Sequence, residues 1–255
     1  MLKILICILA GLGAGLGTGF AGMSAAAVIS PMLIAFLDMD PYMAVGIALA
    51  SDVLASAVSA VTYGRNKNLD VRNGLVMMAA VLCFTAAGSF VASIVPKTTM
   101  GNFSVIMTLL LGIKFIVKPV VAPKPCLTDA TTAQKIIRSL LGGALVGFIC
   151  GFVGAGGGMM MLLVLTSLLG YELKTAVGTS VFIMSVTALT GAVSHFAIGG
   201  LPDITALIVC VVSTLVFAQV AALFANRAQP KTLNRVTGAV LVVLGAAILI
   251  VNFCK

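Results

Sequence analysis

The chain has 255 residues, of which 61% are hydrophobic and only 9% are charged, with a formal net charge of +8. A soluble domain of this size needs a polar outer surface, so this composition excludes a soluble protein and indicates one that crosses a membrane several times. The few cations occur in short segments between apolar runs, where they determine orientation in the bilayer. No basic stretch interleaved with aromatic residues argues for nucleic acid as a partner.

Eight apolar spans follow one another along the chain, and two of them are unusually long. The sequence predicts spans at about residues 4–37, 44–63, 74–95, 101–117, 136–169, 175–198, 204–225 and 233–253. A long span is thus followed by three ordinary ones, twice over. Segment 118–135 contains three prolines and several lysines, so we predict a polar linker there. It separates a first transmembrane repeat, 1–117, from a second, 136–255.

The two long spans exceed what one straight crossing needs. A helix of about 34 residues is about 50 Å long, whereas the hydrocarbon core of a bilayer is about 30 Å thick. The second long span carries a glycine run at 151–158, and the first carries Gly22-Met-Ser-Ala-Ala-Ala27 in the corresponding place. Broken backbone survives in lipid only where it is buried in protein or faces a watery cavity. We therefore predict that each long span breaks at its glycine-rich stretch and that the functional site lies there.

Sliding the chain against itself by 132 positions reveals an internal repeat. The shift aligns a glycine ladder, an Ala-Val-Gly triplet and, one or two inserted residues later, a Pro-Lys-Thr triplet. The first copies of these begin at Gly11, Ala44 and Pro96, and the second copies at Gly143, Ala176 and Pro230. The shared register predicts an all-α polytopic membrane protein made of two repeats with about four to five helical segments each.

Corresponding loops of the two repeats carry opposite charge bias. Three cations lie between positions 65 and 72, and the counterpart loop, 199–203, has none. Lys97 stands alone where the second repeat has three cations between positions 227 and 235. By the positive-inside rule the two repeats are therefore inverted relative to each other, with five helical pieces each and both chain ends outside. The alternative is eight simple crossings with both ends in the cytoplasm, which leaves the 227–235 cluster on the wrong side.

Two titratable residues stand out within or beside the apolar spans. Asp52 lies deep in the second span, where a charged side chain is costly and is expected to face the protein interior. It is either a proton-carrying group or a hydrogen-bonded residue that ties two helices together beside Ser51 and Ser56. The single histidine, His195, follows Ser194 near the end of the sixth span. It either relays protons or binds an anion, or it caps a helix at the membrane surface.

Gly178-Thr179-Ser180 places two hydroxyls beside a flexible residue near the start of a span. Broken transporter helices aim free backbone N–H groups at anionic substrates, and these hydroxyls would add donors. The alternative is packing of Ser and Thr between helices, which is common in membranes. Asp70 and Asp203 each precede an apolar run and are predicted helix N-caps.

Several of these motifs together look familiar. The run Gly151-Phe-Val-Gly154-Ala-Gly156-Gly157-Gly158 resembles the glycine signature of the TauE/SafE sulfite-exporter family. Ala176-Val-Gly-Thr-Ser180, then Ser194-His195 and Asp203, continue the resemblance in the order expected of that family. The resemblance covers nearly the whole chain. The first half departs from the pattern. Its counterpart of the glycine run is Gly22-Met-Ser24-Ala-Ala-Ala27, Gly46-Ile-Ala48 replaces Gly-Thr-Ser, and Tyr63 replaces the histidine.

The resemblance implies a multi-pass carrier of small sulfur-containing anions in the bacterial inner (cytoplasmic) membrane. We predict a secondary transporter, not an enzyme, that moves sulfite, a sulfonate such as sulfoacetate, or a related small organic acid, coupled to protons. The alternatives are a passive anion channel and a non-transporting scaffold. No Gly-x-x-x-x-Gly-Lys-[Ser/Thr] run is present, and neither a cofactor nor a metal site is expected. The expected partners are a small anion and the lipid bilayer, and the sequence is compatible with either a monomer or a homo-oligomer.

The site prediction follows from the broken segments and the polar residues near them. Asp52 and His195 are the predicted proton-coupling residues. The predicted substrate-binding residues are Gly22, Ser24, Ser51, Gly154, Gly156, Gly157, Gly158, Thr179, Ser180 and Ser194.

Overall fold

The computed structural model of the chain describes residues 2–92, 109–110, 113, 116–118, 131–153, 158, 161–162, 164–199 and 202–253. Every regular element within these residues is a helix, which confirms the predicted all-α class. The elements are α1 (Leu2–Ala21), α2 (Ala26–Leu37), α3 (Pro41–Arg65), α4 (Val71–Ala92), α5 (Thr132–Val153), a short π-helix (Val164–Leu168), α6 (Leu173–Gly199), α7 (Ile204–Arg227) and α8 (Pro230–Phe253).

The helices lie where the apolar spans predict them. Four of the described helical stretches are long and apolar enough to cross a bilayer: Leu2–Ala21, Met43–Arg65, Leu173–Val193 and Ile204–Arg227. Most of the predicted span 101–117 and of the linker 118–135 lies outside the described residues, so the division into two repeats at that point stays a prediction.

The outer face of α7 is apolar along its length. Ile208, Val212, Val216 and Val220 recur every four residues and are each more than half exposed. The opposite face of the same helix is fully buried, with Ala218, Ala221 and Ala222 among its residues. An exposed apolar stripe of this kind is stable in lipid and unfavourable in water, so α7 presents this stripe to the bilayer.

The first long span forms a hairpin instead of a single broken crossing. It divides into α1 and α2 at residues 22–25. Lys3, near the start of α1, lines the same surface depression as Leu37, Met39 and Asp40, which follow at the end of α2. Helix α2, which has 12 residues, thus runs back toward the end of the molecule at which α1 began. We call this the Lys3 end.

The glycine ladder of α1 is a packing surface for α7. A Cβ added at Gly15 would lie 2.7 Å from the Thr214 carbonyl oxygen and 2.8 Å from the Ala218 nitrogen. A Cβ at Gly19 would lie 2.6 Å from the Ala218 carbonyl oxygen. Only glycine allows backbones to approach this closely, as in other membrane helix pairs with small residues every fourth position. Because residue numbers increase together along both helices, α1 and α7 run in parallel.

The second half contains the counterpart of this contact. A Cβ at Gly143 of α5 would lie 2.6 Å from the Met77 carbonyl oxygen of α4, and one at Gly147 would lie 2.5 Å from the Val81 carbonyl oxygen. Helices α4 and α5 therefore also run in parallel, starting from the end opposite Lys3. The repeat alignment pairs Gly11 and Gly15 with these two glycines, so the ladder is a helix-packing feature in both halves.

The central helices α3 and α6 pack antiparallel to each other. Gly191 of α6 lies against Leu49 near the start of α3, whereas Gly178 lies against Tyr63 near its end. The added Cβ at Gly178 would also collide with the carbonyl oxygen of Asn68. Glycine is therefore required at 178 so that α6 can lie against the turn after α3.

The end of the molecule opposite Lys3 joins the two halves through polar contacts. The Asn68 side chain donates to Asn226 Oδ1 at 2.7 Å, and Lys174 Nζ donates to the Asn226 carbonyl oxygen at 2.9 Å. We call this end, which carries Asn68, the Arg65 end.

The two predicted N-caps are confirmed. Asp70 Oδ1 accepts the Asn73 N–H at 3.1 Å, and Asp203 Oδ1 accepts the Ala206 N–H at 3.0 Å.

Replacing Gly15 with alanine should destabilise the protein, because the new methyl group meets backbone atoms of α7 that cannot move independently. We expect a loss of about 1–3 kcal/mol, as for overpacking elsewhere. Gly64→Ala is the matched control, since its Cβ would approach only the tip of Leu69, at 3.3 Å. Denaturant unfolding of the detergent-solubilised protein measures both variants. Equal stability of Gly15→Ala and wild type would contradict the assigned packing.

Candidate functional site

The break between α1 and α2 is a defined turn at residues 22–25. Gly22 adopts a φ of 60°, a left-handed conformation that glycine reaches without strain, and its N–H donates to the Thr18 carbonyl oxygen at 2.9 Å. The Thr18 hydroxyl donates to the Met23 carbonyl oxygen at 3.0 Å. The chain thereby ends α1, reverses, and starts α2 while its backbone groups remain hydrogen-bonded. The predicted break in the first long span is observed.

Asp52 lies beside this break, near the middle of α3, and is fully buried. The Ser24 hydroxyl donates to Asp52 Oδ2 at 2.7 Å, and the Ser56 hydroxyl donates to Oδ1 at 2.8 Å. The Ala25 N–H, at the start of α2, also donates to the carboxylate. The N-terminal end of α2 thus holds a carboxylate, which is the group that helix N-termini favour.

The Gly-Thr-Ser segment of α6 reaches the break through its serine. The Ser180 hydroxyl donates to the Gly22 carbonyl oxygen at 2.8 Å. Thr179 Oγ1 instead accepts the Asp70 N–H at 3.2 Å, so this hydroxyl lies at the start of α4. The three residues therefore serve three contacts. Gly178 permits close packing, Thr179 binds the α3–α4 turn and Ser180 binds the break.

Gly158, the last glycine of the run in the second half, meets the break of the first half. Gly158 is helical and buried, and a Cβ added to it would collide with the backbone nitrogen of Ser24 and with Met23. Helix α5 ends at Val153, five residues before Gly158. Gly154, Gly156 and Gly157, which were predicted to bind substrate, lie outside the described residues.

Three other predicted site residues lie apart from this cluster. Ser51 is buried, and its hydroxyl donates to the Ile47 carbonyl oxygen of its own helix at 2.8 Å. Ser194 and His195 belong to α6, about 21 Å along the helix axis from Ser180, at 1.5 Å per residue. Their side chains lie outside the described part of the structure. Tyr63, which aligns with His195, is buried and donates to the Gly19 carbonyl oxygen at 2.8 Å.

Sequence reasoning placed Ser51 and Ser56 on equal terms beside Asp52, and the structure separates them. Residue 56 is one helical turn after residue 52, so the two side chains share a face of α3, whereas residue 51 is rotated away by about 100°. The spacing alone would have favoured Ser56. The hydrogen bond from the Ala25 N–H to Asp52 could not be predicted from the side-chain pattern, because a backbone group donates it.

Comparison with known proteins decides the family. The model of the family described as sulfite exporter TauE/SafE matches residues 7–248. This chain belongs to the TauE/SafE family. Two relatives are the probable membrane transporter proteins YunE and YdhB of Bacillus subtilis (strain 168). YunE is 25% identical over an alignment of 268 positions that covers 97% of this chain and 98% of the relative. YdhB is 24% identical over 230 residues, 89% and 90% of the two chains.

A third relative comes from an archaeon. The probable membrane transporter protein MJ0441 of Methanocaldococcus jannaschii is 24% identical over 204 residues, 76% of this chain and 73% of the relative. Family membership and the names of these relatives indicate a membrane transporter rather than an enzyme, and the apolar helices identify a multi-pass membrane protein.

This TauE/SafE protein has a second polar cluster at the Lys3 end. Lys3 and Asp203 form an ion pair that joins the start of α1 to the start of α7. With Leu37, Met39, Asp40 and Met43 they line a depression of about 400 Å³. No group of three His, Cys, Asp or Glu residues suited to a metal ion occurs in the described ranges. The hydrogen bond from Lys3 and the N–H of Ala206 lower the pKa of the Asp203 carboxyl.

Removing the hydroxyl of Ser24 should destabilise the protein, because a buried carboxylate loses one of its three donors. We expect Ser24→Ala to lower the free energy of unfolding by about 1–3 kcal/mol. Ser185→Ala is the control, since this part-buried hydroxyl donates only to the Phe182 carbonyl oxygen of its own helix. Thermal and denaturant unfolding in detergent compare the two. A smaller effect in Ser24→Ala than in Ser185→Ala would argue against the bond to Asp52.

The Lys3–Asp203 pair should make stability depend on pH. An aspartate with a lowered pKa stabilises the folded state above its unfolded pKa of about 3.9, and this contribution is lost as the pH falls through the folded value. Both side chains are more than a third exposed, so we expect less than about 1 kcal/mol. Lys3→Met should therefore be less stable than wild type at pH 7, and the difference should shrink as the pH is lowered below about 3.9 in denaturant titrations. A difference that stays constant as the pH falls below this value would show that the pair is not its cause.

Proposed function

We propose that this TauE/SafE protein is a proton-coupled secondary transporter for a small anion in the bacterial cytoplasmic membrane. The proposed substrates are sulfite, a sulfonate such as sulfoacetate, or a related small organic acid. One observation carries the proposal: the first long span is interrupted between α1 and α2 beside a buried carboxylate, and the N-terminus of α2 donates to that carboxylate. Interrupted helices with amides directed at negative charge are the usual substrate sites of secondary transporters.

The proposed coupling mechanism is competition between the substrate anion and Asp52. In this structure the carboxylate of Asp52 occupies the donors that an anion would use, namely Ser24 and the Ala25 N–H. A proton on Asp52 would remove the negative charge and weaken its hold on these donors. The anion would then take its place, so that a proton and an anion move together. Two unpaired negative charges would otherwise meet in a medium of low dielectric constant, which is costly.

The glycine run of the second half would complete the site. Gly158 already lies against Ser24, and Ser180 against Gly22, so an anion at the break would be within reach of both halves. We propose that Gly154, Gly156 and Gly157 also bind it, with Gly22 and Thr179 shaping its surroundings. For Ser51 to donate to the anion, its bond to the Ile47 carbonyl oxygen would have to break. Ser194 and His195 are proposed further along the path toward the Lys3 end.

We also propose that the two halves are inverted repeats with both chain ends outside the cell. The helix directions support this, since α1 and α5 start from opposite ends and each packs in parallel on the third full-length helix of the other half. Helices α3 and α6, which correspond in the repeat, pack antiparallel. The charge distribution gives the orientation. The Arg65 end also carries Lys67, Lys174 and Arg227, and by the positive-inside rule this end faces the cytoplasm.

Two alternatives make different predictions about flux. A passive anion channel would move the substrate only down its own gradient, even with a proton-motive force imposed. A non-transporting scaffold would move no solute at all. Uptake of labelled sulfite, labelled sulfoacetate and a carboxylate control into proteoliposomes, with and without a pH gradient, separates these three functions.

Asp52→Asn should abolish proton-driven accumulation of the transported anion while sparing exchange between internal and external anion. The amide is nearly isosteric with the carboxyl but cannot ionise, so the shape of the site is kept and the coupling to protons is lost. Asp203→Asn is the matched control. It removes a carboxylate at the membrane surface, and asparagine also serves as an N-cap. Both variants are measured in the same proteoliposomes. Accumulation at the normal rate in Asp52→Asn would refute the coupling role.

A further inference from the structure

Many hydroxyls in the described helices bond back to their own backbone. Ser51, Thr62, Thr85 and Ser213 each donate to the carbonyl oxygen four residues earlier. This is the usual arrangement of serine and threonine in a membrane helix, because no solvent is there to serve as a partner. Others, such as Ser24, Ser56 and Ser180, donate to the site described above. For three buried hydroxyls no described residue offers a hydrogen-bond partner: Ser30, Ser59 and Thr214.

Ser59 belongs to a polar stripe on one face of α3. Asp52, Ser56, Ser59 and Tyr63 follow one another at intervals of four, three and four residues, so they lie on the same side of the helix. All four are fully buried. The stripe starts at the break, where Asp52 contacts Ser24, and its Tyr63 donates to the Gly19 carbonyl oxygen. Ser59 therefore faces α1 between these two contacts.

Thr214 reaches the same place from α7. It is fully buried, and its backbone lies against Gly15 of α1. The Thr62 hydroxyl lies 3.0 Å from Gln219 Oε1, which fixes the register of α3 against α7. Because the two helices run in parallel, Thr214 lies about 7.5 Å nearer the Lys3 end than Gln219. It is therefore level with residue 57 of α3, about 3 Å along the axis from Ser59. We call this contact region of α1, α3 and α7, from Asp52 to Thr62, the seam.

Polar groups continue from the seam to the surface at the Arg65 end. Thr62 pairs with Gln219, and the Asn66 side chain donates to the Thr62 carbonyl oxygen at 2.7 Å. Asn66 is exposed. Each turn of α3 from Asp52 to this end thus carries at least one polar side chain. Ser30 is not part of the seam, because it lies on α2, which leads from the break toward the Lys3 end.

We propose that water bound by Ser59 and Thr214 links Asp52, through Ser56, to the Arg65 end, and that the seam is the route by which protons reach Asp52. Buried hydroxyls without protein partners are the groups that ordered internal water usually satisfies. Ser56 donates to Asp52 Oδ1, so its oxygen remains able to accept from a water molecule. A proton entering from the aqueous end passes through the Thr62 hydroxyl, the bound water and the Ser56 hydroxyl, each of which accepts one hydrogen and donates another. The side-chain amides of Asn66 and Gln219 position the outer end of the seam and carry no proton. It ends on the Asp52 carboxylate, which becomes a carboxyl.

The surroundings of Asp52 favour such a route. Ser24 and Ala25 face the carboxylate from the break, and Ser56 faces it from α3. The one ion pair among the described residues, Lys3–Asp203, is at the molecular surface. The seam is separate from the contact with Ser180 and Gly158, so the proton and the anion would approach Asp52 from different sides. This inference rests on the coupling role proposed for Asp52.

The test follows hydrogen exchange at Asp52 in the full chain and needs no substrate. Infrared spectroscopy detects the C=O stretch of the protonated carboxyl, which is assigned by its loss in Asp52→Asn. At a pH low enough to protonate Asp52, transfer into D2O shifts this band when a deuteron arrives. We expect the double variant Ser59→Ala, Thr214→Val to slow the shift by about tenfold or more, equivalent to a modest rise in the barrier. Exchange at the wild-type rate in the double variant would overturn the proposal.

Ser30→Ala is the matched control, because it removes an equally unpartnered buried hydroxyl outside the seam. Its exchange rate should equal that of wild type, and slowing as large as in the double variant would also overturn the proposal. Thermal unfolding gives a second measure. A hydroxyl that binds water leaves Tm unchanged or lowered when it is removed, whereas a dry, unpartnered hydroxyl raises Tm when removed. A raised Tm in both Ser59→Ala and Thr214→Val would contradict bound water.

The outcome is independent of the transport assay. If Asp52→Asn still accumulates anion, the coupling role fails, yet the exchange rates still report whether the seam conducts protons to Asp52. If Asp52→Asn loses accumulation and the double variant exchanges normally, the coupling role stands and the seam is not the route.

Discussion

The interrupted backbone between α1 and α2 imposes the central constraint on this structure. A helix end inside a membrane leaves N–H and C=O groups without solvent, so each must find a partner within the protein. The protein supplies these partners from three helices. Thr18 of α1 binds the Met23 carbonyl oxygen, Ser180 of α6 binds that of Gly22, and Asp52 of α3 accepts from Ala25. The break is therefore held in one conformation by contacts from α1, α3 and α6.

Close packing makes these contacts geometrically accessible. The glycines of α1 let it lie directly on α7, and Gly178 lets α6 lie on the turn after α3. A side chain at any of these positions would separate the helices and withdraw Ser180 or Asp52 from the break. The small residues thus position the polar ones. The apolar stripe of α7 faces outward into lipid, so the polar contacts are kept on the inside of the helix assembly.

The chemistry available at the break agrees with the proposed function of a TauE/SafE transporter. Neither Lys nor Arg contacts Asp52 among the described residues, so its negative charge is stabilised by hydroxyls and amides alone. Such donors bind an anion without the strong attraction of a full positive charge, which suits a site that must also release its ligand. A carboxylate of the protein and an anion from solution would present similar oxygens to these donors, and this similarity is the basis of the proposed competition.

The sequence by itself determined the features that depend on local properties. Hydrophobic run length fixed the helices and the need for a break, glycine content located the break at Gly22, and Asp70 and Asp203 marked helix starts. The tertiary structure decided the features that depend on neighbours distant in the chain. In the tertiary structure the first span forms a hairpin, Ser56 rather than Ser51 donates to Asp52, and Thr179 bonds to the start of α4 rather than to the break. Serines and threonines look alike in a sequence, and only the helix register and the packed neighbours decide whether each hydroxyl bonds to its own helix, to the site or to neither.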